Sequence, residues 1–112
     1  MKIYVDIDDT ICHYPPDEPV GVTRDYSHAI PHSHKISVIN SLYNKGHSIH
    51  YWTARGTQSG IDWLPLTLQQ LKDWGCLYTT ANVGKPNYDL MIDDKTLTSV
   101  EQVECLLRMK PL

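Results

Sequence analysis

Four groups of residues have types and spacing that could do chemistry: Asp6-Ile7-Asp8, Thr53, Lys85 and Asp93-Asp94. Asp6 and Asp8 are two residues apart at the end of an apolar run, so an extended chain puts both carboxylates on one side. Carboxylates gathered in one cleft repel, and each raises the pKa of its neighbours. A divalent cation relieves that repulsion directly. An all-oxygen donor set with no Cys/His cluster points to Mg²⁺ rather than Zn²⁺. Each group taken singly has an ordinary reading. An Asp at a strand end caps a turn, Thr53 does the same, Asp93-Asp94 is a solvated turn before Lys95, and a lone lysine is a surface charge. The arrangement as a whole carries the chemical reading.

Those groups need elements to position them. Lys2–Ile7 is β-branched and aromatic and predicts a strand that ends at Asp8-Asp9. Residues 11–33, with Pro15, Pro16, Pro19, Pro31 and Gly21, predict a loop insert near the site, with room for a short hairpin around 20–22. A loop of that length in a compact domain usually works at a site. A helix is predicted from Ser33, with Ile36, Ile39, Leu42 and Tyr43 on one face and Gly46 closing it. His47–Trp52 predicts a strand that delivers Thr53. A second helix ends near Trp74 with Pro65 in its first turn and Leu64, Leu68, Leu71 and Trp74 inward. Further strands are predicted at 76–80 and 88–92, the latter delivering Asp93-Asp94. A last helix starts near Thr98, with Glu101 completing a capping box and Val100, Val103, Leu106 and Leu107 on its apolar face. Strands alternating with helices predict an α/β fold: a mostly parallel sheet with helices on both faces. Ligands bind such sheets at the carboxyl ends of the strands, where all four groups fall.

The motifs support a resemblance. Asp6-Ile7-Asp8-Asp9-Thr10 resembles the first motif of the haloacid dehalogenase-like hydrolases. Thr53 in Tyr-Trp-Thr-Ala-Arg-Gly, Lys85 in Val-Gly-Lys-Pro, and Asp93-Asp94 after Leu-Met-Ile resemble the other three. The four occur in order and span residues 6–94. The short forms most resemble small phosphatases of capsule biosynthesis. The resemblance implies a Rossmann-like three-layer fold and a phosphomonoester hydrolase working through an aspartyl phosphate. It makes Asp6 the nucleophile and Asp8 the general acid and then base. It gives Thr53 a phosphoryl oxygen, and has Lys85 offset the charge of Asp6 and the phosphoryl group. Mg²⁺ would be held by Asp6, the Asp8 backbone carbonyl, Asp93 and Asp94. Many family members have Gly where this chain has Asp9, a position tolerant of positive φ; Asp accepts that conformation better than most residues. Asp9, Arg24, Arg55, His28 and His32 are candidate substrate contacts.

The rest of the chain bounds these readings. Its 112 residues predict one domain, 1–112, with no room for a separate cap over the site. A capless site admits larger substrates unless a neighbouring subunit closes it, so a homo-oligomer is expected, joined near Tyr14, Val20, Val22, Tyr26 or Ile30. Apolar residues make up 41% and charged residues 21%, an ordinary globular composition. Thirteen acidic against ten basic residues argue against a nucleic-acid footprint, and so against the alternative of a polynucleotide 3′-phosphatase. The other alternative, a noncatalytic binding or regulatory subunit on the same fold, is opposed by the completeness of the motif set. No apolar run is long enough to span a membrane, and the start of the chain does not read as a leader. Three cysteines, Cys12, Cys76 and Cys105, read as reduced thiols, which makes a cytoplasmic protein the expectation. The expected substrate is a phosphorylated sugar or related small metabolite.

Overall fold

The computed structural model describes residues 1–109, with side chains through 105. In chain order the elements are β1 (Lys2–Val5), β2 (Cys12–His13), β3 (Ile30–Pro31), α1 (Ser33–Asn44), β4 (Ser48–Trp52), α2 (Leu64–Asp73), β5 (Thr80–Asn82) and α3 (Val100–Met109). Two single 3₁₀ turns, Gly21–Thr23 and Tyr26–His28, lie between β2 and β3. The main sheet has order β1-β4-β5 and is wholly parallel, while β2 and β3 form a small antiparallel pair. This is a mixed α/β fold with a parallel sheet flanked by helices.

Register explains which residues reach the core. Ile3 pairs with Ile49 and Val5 with Tyr51, so these share one sheet face. Val5, Ile49 and Tyr51 pack with Ile36, Ile39 and Leu42 of α1, Leu71 beyond them and Val100 of α3. The opposite face carries Tyr4, His50 and Trp52. Tyr4 stacks on His50, yet is 59% exposed, so the expected second helical layer does not cover β1 there. Helix α1 begins where expected, capped by His32, whose Nδ1 accepts the Lys35 N–H at 3.4 Å. Tyr43, expected inward, lies at the edge of the buried stripe and is exposed.

The elements depart from expectation in four places. No strand forms at 88–92. Tyr88, Leu90, Met91 and Ile92 are exposed, Leu90 at 76% and Ile92 at 90%. A short apolar run reads as a buried strand only if a neighbour covers it, and here none does. The strand expected at 76–80 is Thr80–Asn82 instead. Cys76 N–H is still donating to Leu71 at the end of α2, and pairing starts only where Thr80 meets His50. In α2, Leu68 faces out and Thr67 and Gln70 are buried with Leu71. At α3, Ser99 rather than Thr98 caps the helix. Ser99 Oγ accepts the Gln102 N–H at 3.3 Å, and Gln102 Oε1 accepts the Thr98 N–H at 2.7 Å, so Gln102 takes the part expected of Glu101. Leu106 and Leu107 have side chains outside the described residues. Among the described residues no helix is long and apolar enough to cross a membrane.

Candidate active site

Beyond β1 the chain turns sharply: the N–H groups of Thr10 and Ile11 both donate to Ile7 C=O, at 3.1 and 3.0 Å. The turn puts Asp9 at φ 61°, the left-handed conformation foreseen where Gly is common. Thr53 follows β4 at the same sheet edge and is fully buried. Its N–H donates to Asn82 C=O at 3.0 Å, and its own C=O accepts the Lys85 N–H at 3.1 Å. Those two bonds bring the loop after β5 to the site, so Lys85 arrives there without any strand at 88–92. Gly56 is required in the turn after Thr53. It has φ 82°, and a Cβ there would sit 2.1 Å from Ile61 O.

Together these segments form an open cavity of about 190 Å³. Asp6, Asp8, Thr53 and Arg55 line its floor. Gly21, Val22, Arg24 and Tyr26 of the insert line one wall, and Gln58, Ser59 and Asn87 line another. Three carboxylates of one turn each meet one cation from a different segment. Lys85 Nζ lies 3.5 Å from Asp6 Oδ1, Arg55 Nη2 lies 2.9 Å from Asp8 Oδ1, and Arg24 Nη1 lies 3.0 Å from Asp9 Oδ2. Thr10 Oγ1 is 3.5 Å from Asp6 Oδ2. Burial raises the Asp6 pKa above the usual carboxylate value, the Lys85 ammonium pulls it back, and the Asp8 charge adds to the rise.

Asp6, Asp8, Thr53 and Lys85 are thus gathered in one place. Asp93 and Asp94 are not. Both are exposed, neither lines the cavity, and Asp93 Oδ1 accepts from Lys95 N–H at 3.4 Å in a local turn. With the 88–92 segment out of the sheet, nothing carries the pair to Asp6. Among the described residues no three His, Cys, Asp or Glu side chains gather as a metal ion requires. The donors for Mg²⁺ do not fit as they stand.

The expected substrate contacts divide. Arg24 lines the cavity, stacked 4.2 Å from the Tyr14 ring centre. Asp9 spends its carboxylate on Arg24. His32 caps α1. His28 lies 2.8 Å from Glu18 and 3.5 Å from Asp25, which closes the insert on itself away from the cavity. Both carboxylates hold its pKa above the usual histidine value, the Glu18 hydrogen bond most. Arg55 has its guanidinium wholly enclosed. It grips Asp8 and also donates to Thr67 Oγ1 at 3.0 Å and Gln70 Oε1 at 2.6 Å.

Sequence reasoning missed Tyr14, whose hydroxyl donates to Asp8 Oδ1, and it missed Thr67 and Gln70. A signal for the last two exists. They lie on the same helical stripe as Leu71 and Trp74, and a polar residue on an apolar stripe needs a buried partner. Cys12 sits 3.6 Å from Asp8 Oδ1, where burial and the Asp8 charge push its thiol up to about 12, so it is no nucleophile.

No protein-family model matches the chain, and no curated protein matches it. A crystal structure of a structural-genomics target from Vibrio cholerae is similar in fold, with a TM-score of 0.70 and 24% identity over 96% of this chain and 97% of that one. At that identity the likeness speaks for the fold.

Proposed function

We propose that the chain is a phosphomonoester hydrolase of the haloacid dehalogenase-like kind, in which Asp6 takes the phosphoryl group. One observation carries the reading: a half-buried carboxylate, Asp6, lines an open cavity beside Thr53 at the carboxyl edge of a parallel sheet and faces an ammonium, Lys85, at 3.5 Å. A carboxylate and a phosphate monoester are both anions, and a low-dielectric site strengthens their repulsion. Lys85 offsets it, and Thr53 Oγ1 is placed near the same edge to donate to a phosphoryl oxygen.

In the first step an Asp6 Oδ–P bond forms, the bond from phosphorus to the ester oxygen breaks, and that oxygen takes a proton from Asp8. In the second step water attacks phosphorus, the Asp6–phosphorus bond breaks, and the proton of the water goes to Asp8. Splitting the reaction this way replaces one hard displacement by two easier ones. The cavity walls carry hydroxyl and amide groups at Ser59, Gln58 and Asn87, which suits a polyhydroxylated leaving group such as a sugar. Turnover of a panel of sugar phosphates, beside a 3′-phosphorylated oligonucleotide, tests the reading. Hydrolysis of sugar phosphates is expected, preference for the oligonucleotide would move the reading to nucleic-acid ends, and no hydrolysis of any phosphomonoester would end it.

Mg²⁺ enters this proposal through the sequence motif alone, since it needs Asp93-Asp94 to reach Asp6. If Asp93-Asp94 reach Asp6, turnover vanishes in excess chelator and returns with Mg²⁺ but poorly with Ca²⁺, which takes more ligands at longer distances. Full turnover in chelator would remove the metal.

The proposal also includes a homo-oligomer joined beside the cavity mouth. Tyr14 and Tyr26 are committed within the chain, to Asp8 and to the Arg55 face, which leaves Val20 and Val22 exposed at the rim, Val20 at 74%. Sedimentation at micromolar concentration is expected to give a species larger than one chain. A monomer would remove this part.

A further inference from the structure

We infer that Arg55 is a positioning residue, holding the Asp8 carboxylate for proton exchange with the leaving group and making no contact with substrate. The inference rests on the phosphomonoesterase reading above. A guanidinium has five N–H donors in a fixed fork. Arg55 commits four of them. Nε donates to Asp8 Oδ2 at 3.0 Å and lies 3.3 Å from Oδ1, Nη2 donates to Oδ1 at 2.9 Å, and Nη1 donates to Thr67 and Gln70. Its carbon centre lies 4.9 Å from the Tyr26 ring centre, which closes one face. With its side chain 0% exposed, its guanidinium is enclosed by these partners although the residue borders the cavity.

The grip is asymmetric at Asp8. Oδ1 takes Arg55 and the Tyr14 hydroxyl, and Cys12 Sγ is beside it. Oδ2 takes Arg55 Nε alone at a short distance. The fork stops the carboxylate from rotating, saturates Oδ1, and leaves Oδ2 as the oxygen with lone-pair capacity to hold or accept a proton. The anchor is remote from the reacting atoms. Thr67 and Gln70 belong to α2, and Gln70 Nε2 donates onward to Tyr26 C=O at 2.7 Å, so α2 and the insert together index Asp8 against the end of β4. A buried ion pair contributes little net stability against an apolar replacement, so stability alone is a weak reason for four buried hydrogen bonds at this place.

The test compares two leaving groups in Arg55→Lys, which keeps the charge and loses the fork. p-Nitrophenyl phosphate releases a stable phenolate and needs no proton. Glycerol phosphate releases an alkoxide and does. A positioned proton donor is worth roughly 10²–10⁴-fold. The expected result is a fall in kcat/KM, which reports the first step alone, of at least about 10²-fold on glycerol phosphate and a much smaller fall on p-nitrophenyl phosphate; kcat also contains the second step, where Asp8 takes the proton of water, and falls on both. Equal proportional losses of kcat/KM on the two esters, or a rise in KM with kcat unchanged, would overturn the positioning role. If Arg55→Lys lacks the wild-type circular dichroism spectrum, Thr67→Val serves instead. It removes one anchor, and the same split in smaller size is expected; equal losses again overturn the role. A wild-type chain that hydrolyses neither ester overturns the underlying reading, and this inference with it.

Discussion

Asp6→Asn is expected to abolish turnover, by at least about 10⁴-fold in kcat, and to leave the fold intact. The amide matches the carboxylate in size, and Asp6 is tied to its surroundings by 3.5 Å contacts to Lys85 and Thr10 and by the Ile7 backbone N–H, which an amide oxygen also accepts, so little packing is lost. What goes is the cavity-floor carboxylate that no guanidinium grips. Asp8 and Asp9 are held by Arg55 and Arg24 and are poorly placed to substitute. Steady-state assay of purified Asp6→Asn, with deamidation excluded by mass spectrometry, checks the expectation; substantial residual turnover would assign the phosphoryl group to another atom.

Lys85→Met is expected to lower kcat/KM by roughly 10²–10³-fold, the scale for removing one preorganised group that stabilises charge at the reacting centre. Two losses add. The substrate phosphoryl group loses its counter-charge. Asp6 also loses the main influence that holds its pKa down against burial, so less of it stays ionised and nucleophilic. Lys85→Arg keeps the charge at a different reach and should recover part of the activity. Equal kcat/KM for Lys85→Met and the wild type would place Lys85 outside the chemistry, as a tie between Asp6 and the Tyr88 ring, 5.3 Å away.

How far the sequence was legible depends on how local the deciding physics is. β1, β4 and α1 were readable because apolar period and capping act within a few residues. The site turn was readable for the same reason: Asp6, Asp8 and Asp9 are fixed by one short segment, and Asp9 adopts the positive φ foreseen for it. Lys85 does lie beside Asp6, held there by the backbone bonds of its loop to Thr53. The segment 88–92 failed as a strand because a short apolar run carries no sign of whether a partner edge meets it; with it went the route of Asp93-Asp94 to the site. The partners of Arg55 were not legible, because Thr67 and Gln70 are 12 and 15 residues away, and only their placement on the buried stripe of α2 turns an arginine near the cavity into an enclosed one. His28 and His32 were read as ligand contacts by type, whereas one closes the insert and the other caps a helix.

The central claim is that the phosphoryl group passes through Asp6. It is tested most directly by trapping the intermediate. The enzyme is mixed with a turning-over phosphomonoester, quenched within one turnover, and reduced with borohydride, which converts an aspartyl phosphate to homoserine. Peptide mass spectrometry should find homoserine at position 6, absent when substrate is left out and absent in Asp6→Asn. Homoserine at another aspartate, or none at all while turnover continues, would contradict it.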